Sequence, residues 1–280
     1  MKEIPFFFSR DDIQLFGFAH LPTETTTKTA FVFSHPFAEE KLWAQRVFVS
    51  CARALARRGH PVLRFDYTGA GDSAGDLAET TLETHIADLT AAVEQVAKLA
   101  PHAKQIGLVG LRFGATLAAI LAERRCIDRL ADGPLVLWDP ICDGASYFQE
   151  LLRSNLTTQL AVYGRVADNR ERLQERLRNG ERVNVDGYEI GKALFESCAI
   201  PSLLPPGQQR VHNGPVLVVQ IAANEKQKDR DDLQALASAY PQGRFARVNE
   251  QPFWREIRQF YGRAERLEAT TLEWLEQIDA

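Results

Sequence analysis

The stretch Gly110-Leu111-Arg112-Phe113-Gly114 has the spacing of a chemical device. It follows the apolar run QIGLVG and opens a small-residue run, GATLAAIL. A strand, a turn flanked by two glycines, then a helix is the layout of a nucleophile elbow, G-x-S-x-G, which lifts one side chain into a pocket at a helix N-terminus. Here the central residue is Arg112, and a guanidinium, protonated at any ordinary pH, cannot attack a carbonyl. A literal G-x-S-x-G stands elsewhere, Gly71-Asp72-Ser73-Ala74-Gly75, inside the loop YTGAGDSAGD. No helix begins directly after it, so Ser73 reads as a turn serine.

Two readings of Arg112 stand side by side. The helix dipole and free N–H groups at an elbow favour negative charge, so an arginine there would make an anion receptor for a carboxylate, phosphate or sulfate. Alternatively its charge is satisfied internally, by Glu39, Glu40 or Asp139, because an unpaired buried charge is costly. The candidate catalytic group is therefore Arg112 with Glu40, Asp139 and His35, the last three being groups able to activate water.

These residues need a scaffold, and the rest of the chain predicts one. Phe6–Ser9 and Gln14–His20 read as an opening strand pair. Thr29–Ser34, Pro61–Asp66, Gln105–Gly110, Gly133–Trp138, Pro215–Ile221 and Arg244–Val248 read as further, mostly buried strands. Between them lie helical patterns at Leu42–Arg58, Thr81–Leu99, Gly114–Arg124 and Asp229–Ala239, with a terminal helix within Phe253–Ile278. This β-α-β-α order predicts a mostly parallel, doubly wound sheet covered on both faces. The segment 143–213 is too long for a connection between core strands. It carries amphipathic helix signals, the polar stretch ERVNVDGYEIG with the look of a small hairpin, and a proline-rich return. It is expected to be an inserted helical cap over the C-terminal sheet edge, where open α/β sheets bind ligands. Residues 1–142 and 214–280 would then form the core.

The chain has 280 residues, 45% of them apolar and 25% charged, proportions of a globular protein. A net charge of −4 argues against nucleic acid as a partner. The four cysteines, at 51, 126, 142 and 198, show no CxxC spacing, so no metal site and no dithiol chemistry is expected. The apolar run in MKEIPFFFSRDD is too short for a signal sequence, and no run approaches the roughly 18 apolar residues of a membrane span. A cytoplasmic location is expected, with no cofactor and with a small-molecule ligand, an anion on the receptor reading of Arg112.

With SHPFAEEK after the third strand, RFDYTGAGDSAGD after the fourth and GLRFGA at the elbow, the chain resembles the α/β-hydrolase fold family, in its serine-aminopeptidase-like branch. More narrowly, GLRFGA, LVLWDPICDG and EQPFW resemble the exosortase A system-associated hydrolase 2 group, found with exopolysaccharide and protein-sorting loci. The resemblance implies hydrolysis of a small acyl or glycan-linked substrate by a Ser, acid, His triad in that chain order. The chain departs from it twice. Arg112 takes the serine position. The six histidines, at 20, 35, 60, 85, 102 and 212, all precede the last strand, and Gln251 stands near the expected histidine position. The position after PVLVVQI holds Asn224, Glu225 and Asp229, so an acid is on offer there. The resemblance also makes His35 a residue of the loop that shapes the oxyanion hole and Asp66 a tie for the glycine loop. The expected pocket walls are Phe37, Glu39, Leu111, Phe113, Cys142 and Trp254, with Trp254 in an aromatic cluster with Phe253, Phe260 and Tyr261. Two readings follow: a hydrolase using non-triad chemistry, or a non-catalytic pseudo-hydrolase that binds an anionic ligand or a partner.

Overall fold

The apolar runs TAFVFS, IGLVGL, LVLW and VLVVQIA become adjacent strands with almost every residue buried, as parallel strands covered on both faces must be. The computed structural model describes residues 1–163, 169–255 and 262–279, without the side chains of 155–163 and 279. In chain order the elements are β1 (Lys2–Arg10), β2 (Ile13–Leu21), β3 (Thr29–Ser34), α1 (Glu39–Arg57), β4 (Val62–Phe65), α2 (Leu82–Leu99), β5 (Gln105–Leu111), α3 (Phe113–Arg124), α4 (Asp128–Ala131) and β6 (Leu135–Trp138). There follow α5 (Gly144–Tyr163), α6 (Arg170–Arg178), β7 (Val183–Val185), β8 (Tyr188–Ile190), α7 (Lys192–Cys198), β9 (Val216–Ala222), α8 (Asp231–Ala239), β10 (Gly243–Asn249) and α9 (Glu265–Asp279).

The main sheet has eight strands in the order β1-β2-β4-β3-β5-β6-β9-β10. Only the β1/β2 and β2/β4 pairs are antiparallel. Side-chain alternation along each strand builds two cores. Ala30, Val32, Leu108, Leu135, Leu137 and Val218 pack with α2, α3 and α8. Phe31, Phe33, Leu111, Trp138 and Val219 pack with α1 and α9. The fold is thus the mostly parallel, doubly wound sheet that the sequence predicts.

Helix α2 starts where expected, because Thr81 and Thr84 form a reciprocal capping box. Other starts shift for identifiable reasons. Helix α1 begins at Glu39 rather than Leu42, with two carboxylates in a first turn that favours negative charge. Helix α8 begins at Asp231 rather than Asp229, because Arg230 is held in place by Gln220 and Asp139. Of the terminal helix only Glu265–Asp279 is seen, with Phe253–Arg255 in a turn, while Phe260 and Tyr261 lie outside the described residues. Between β6 and β9 come α5, α6, the antiparallel hairpin β7/β8 and α7. Their apolar side chains, among them Tyr147, Phe148, Leu152, Leu173 and Phe195, are continuous with the core on the α2/α3 face. No helix among the described residues is long and apolar enough to cross a membrane.

Candidate functional site

The elbow geometry is intact. Arg112 has φ 54° and ψ −121°, a left-handed conformation rare for a side-chain-bearing residue, between the last residue of β5 and the first of α3. The flanking glycines make the turn possible. A Cβ on Gly114 would lie 2.2 Å from the carbonyl oxygen of Ser34 and 2.4 Å from that of His35. A Cβ on Gly110 would lie 2.5 Å from Cα of Ala115. The strand end, the loop after β3 and the helix start are thus packed backbone to backbone. Such strain collects at functional turns.

The arginine at its tip is filled from within. Its Nε donates to Glu40 Oε1 at 3.3 Å and one Nη donates to Glu150 Oε2 at 3.4 Å. The other Nη lies 3.8 Å from Asp139 Oδ1. The guanidinium carbon sits 5.4 Å from the ring centroid of Tyr147 and 5.3 Å from that of Trp254, so an aromatic ring on each of α5 and the turn after β10 contributes cation–π attraction. Only 7% of the side chain is exposed. Burial works against its charge, but Glu40 and Asp139 outweigh this and hold the guanidinium protonated above its ordinary range.

The carboxylates are themselves held. Glu40, in the first turn of α1, accepts from Tyr147 Oη at 2.9 Å. Asp139 accepts from Arg230 at 2.7 Å and from the Ile221 amide at 3.3 Å. Glu150 also pairs with Arg255. Burial raises the carboxyl pKa of Glu40 and of Asp139, and Arg112 opposes the rise in both. The anion that the sequence offered to Arg112 is therefore supplied by the chain. An incoming carboxylate or phosphate would have to displace a carboxylate already there.

The remaining expected residues separate into those near this cluster and those elsewhere. Trp254 is at the cluster, with its buried Nε1 unpartnered among the described residues. Phe37 and Phe113 meet edge to face, ring centroids 5.9 Å apart, and line a neighbouring cavity. His35 lines that cavity too, but it does not pair with Glu39 or Glu40. Its Nδ1 donates to the Pro36 carbonyl at 2.7 Å, and its Nε2 lies 4.0 Å from Asp66. Glu39 accepts from Trp43 Nε1 at 3.3 Å and lines neither place.

Two of the expected wall residues are buried in the cores and are not among the residues lining that cavity. Leu111, at the last position of β5, points by strand alternation into the α1/α9 core. Cys142 is buried in the opposite core, where desolvation pushes its thiol up to about 12, far from a reactive thiolate.

Several residues after β9 and β10, and Ser73, make contacts within the fold. Asn224 Oδ1 accepts from the amides of Lys226 and Gln227, and Asp229 pairs with Arg247. Glu250 Oε1 accepts from the Arg266 amide at the start of α9. Gln251 is exposed. Ser73 donates to the Asp66 carbonyl at 2.6 Å and accepts from the Phe16 amide at 2.9 Å, so it is a turn serine. Asp66 ties the glycine loop through the Asp72 amide, at 3.1 Å. Among the described residues no group of three or more His, Cys, Asp and Glu could hold a metal ion.

Sequence reasoning missed Tyr147, Glu150, Arg230 and Arg255. Tyr147 and Glu150 stand three apart on α5, on one helix face, a spacing visible in YFQELL. Nothing local marks Arg230.

A family profile described as serine aminopeptidase, S33, matches residues 25–186. No curated protein matches the sequence significantly. Among solved structures, Est1E from Butyrivibrio proteoclasticus with ferulic acid bound superposes with a TM-score of 0.63 at 17% identity, covering 98% of this chain and 100% of that one. The Pyrococcus furiosus esterase Pf2001 gives 0.62 at 16% identity, covering 99% and 90%. Proline iminopeptidase of Mycobacterium smegmatis gives 0.59 at 17% identity, covering 99% of each chain. At these identities the likeness is one of fold, the α/β-hydrolase fold.

Proposed function

The chain belongs to the serine aminopeptidase S33 family, and from that premise we propose that it binds a small molecule without the covalent hydrolysis its fold usually supports. One observation carries this reading. The elbow side chain, in the position from which a serine would attack, is an arginine enclosed by Glu40, Asp139, Glu150, Tyr147 and Trp254. Nothing at that point can serve as a nucleophile, and no histidine follows β10 to act as its base. Loss of nucleophile or base alone costs on the order of a millionfold in turnover in a triad enzyme.

In this reading, residues 143–213 are a cap whose helix α5 closes the elbow through Tyr147 and Glu150, and the protein works in the cytoplasm. Its resemblance to the exosortase A system-associated hydrolase 2 group suggests a ligand or partner from exopolysaccharide assembly or protein sorting. The elbow serves as a latch between cap and core. Binding falls to the space beside it.

A second reading is favoured by one feature. Glu40 and Asp139 have carboxyl pKa values raised by burial, the property of a general acid, so non-triad hydrolysis of a small acyl or glycan-linked substrate is the alternative. A panel of p-nitrophenyl esters, thioesters and aminoacyl anilides separates the two. The binding reading expects no turnover above buffer by the wild type. Wild-type turnover that disappears in Arg112→Ala or Glu40→Gln, in folded protein, would overturn it.

A further inference from the structure

Beside the elbow, between β2, β4 and the start of α1, lies a cavity of about 530 Å³, in the size range of small-molecule sites. Arg112 is not on its wall. Phenylalanines make up much of the wall, with Phe16 and Phe18 from β2, Phe48 from α1 and Phe65 from β4 among them. His35, Lys41 and Asp66 supply polar groups at one place on it.

The polar corner is built and incompletely satisfied. His35 is 8% exposed, and its buried Nε2 has no hydrogen-bond partner. The ring is neutral, since burial and the nearby Lys41 lower its pKa to about 3. Its Nδ1 proton goes to the Pro36 carbonyl, so Nε2 presents a lone pair and accepts. Asp66 Oδ1, 4.0 Å from Nε2, is a second acceptor. Lys41 Nζ, 2.6 Å from that oxygen, has further N–H bonds to donate.

A ligand group entering this corner must give a proton to Nε2 and can receive one from Lys41. A hydroxyl does both. A carboxylate or phosphate has no proton to give and faces Asp66. An ether or carbonyl only accepts. The charged residues on the wall balance, Lys41 and Arg64 against Asp66 and Asp72, so no net charge draws an ion in.

We propose that this cavity is the ligand site and that it takes a neutral amphipathic alcohol, its hydroxyl between His35, Asp66 and Lys41 and its apolar body against the phenylalanines of β2, β4 and α1. The proposal rests on the binding reading above. It assigns that reading a place beside the Arg112 cluster rather than at the guanidinium, and a ligand class other than an anion.

The test is calorimetric titration of the intact chain with a series that changes only the head group: 6-phenylhexan-1-ol, its methyl ether, 6-phenylhexanoate and 6-phenylhexan-1-amine. The alcohol is expected to bind at least about tenfold more tightly than the other three, the difference expected when a buried acceptor is left unpaired or a like charge is brought in. His35→Phe is expected to erase the alcohol's advantage while the ether binds as before. Should that variant misfold, Lys41→Met, nearer the surface, is expected to reduce the alcohol's advantage in the same direction. The assignment is overturned if the carboxylate or amine binds as tightly as the alcohol, if both folded variants keep the advantage, or if no member binds below about 1 mM. Ester turnover by the wild type would instead overturn the non-hydrolytic reading, whatever the titration shows.

Discussion

Arg112 Nε donates to Glu40 Oε1 at 3.3 Å, joining the tip of the elbow to the first turn of α1 across 72 residues of sequence. The same carboxylate takes the Tyr147 hydroxyl through its other oxygen. One buried acid therefore ties three elements: the elbow, α1 and α5. Removing one partner of such a pair leaves the other buried and unpaired, which is where the cost of disruption lies.

Acid should loosen the fold well before the surface carboxylates are protonated. Burial lowers the pKa of His20 to about 4 and of His35 to about 3, and lowers those of His85 and His212. An unfolded histidine takes its proton near 6.5 while these folded rings refuse it, so stability is present above that pH and is lost as pH falls through the folded values. Glu3, lowered to about 2 chiefly by its hydrogen bonds from Arg53, adds loss in the same direction at still lower pH. Urea unfolding between pH 7.5 and pH 4 should give a steadily falling free energy, with a smaller slope in His20→Gln. A flat profile would contradict the burial of neutral histidines.

The cysteines should divide by burial. Cys126 is exposed, while burial holds Cys142 and Cys198 as thiols up to about 12 and raises Cys51 as well. Iodoacetamide at pH 8 on native protein should modify Cys126 alone, as read by peptide mass spectrometry. Rapid modification of Cys142 in folded protein would reopen its place on a pocket wall.

Gly114 should tolerate no side chain. Its Cβ would meet the carbonyls of Ser34 and His35, backbone that cannot swing aside. Gly114→Ala is expected to lose about 3 kcal/mol or more in urea unfolding, at the upper end of overpacking costs. A loss below about 1 kcal/mol would mean that the loop after β3 moves freely.

These predictions also mark how far the sequence can be read. The strand–turn–helix of the elbow is legible because Gly110 and Gly114 are demanded by backbone contact, a constraint that writes itself locally. Glu40 and Asp139 are legible as partners because a buried arginine needs acids and few stand near. That no histidine follows β10 is plain from chain order. Tyr147 and Glu150 were not legible as partners of Arg112, because which face of α5 meets the elbow depends on tertiary packing. The burial of Leu111 in the α1/α9 core is hidden for the same reason, since closeness to a pocket in sequence does not say which side of the sheet a side chain faces. The cavity at His35 is equally hidden, being enclosed by residues of β2, β4, α1, α2, α3 and β8 that stand far apart in sequence.

Arg112 is held by the chain's own acids rather than kept free for a substrate. A double-mutant cycle on urea unfolding, with Arg112→Met, Glu40→Gln and the pair, tests it most directly. We expect each single change to destabilise, and a coupling energy of about 2 kcal/mol between them, as for charged groups in buried contact. A coupling below about 0.5 kcal/mol would mean the two residues act independently and that the arginine's charge is available for something else.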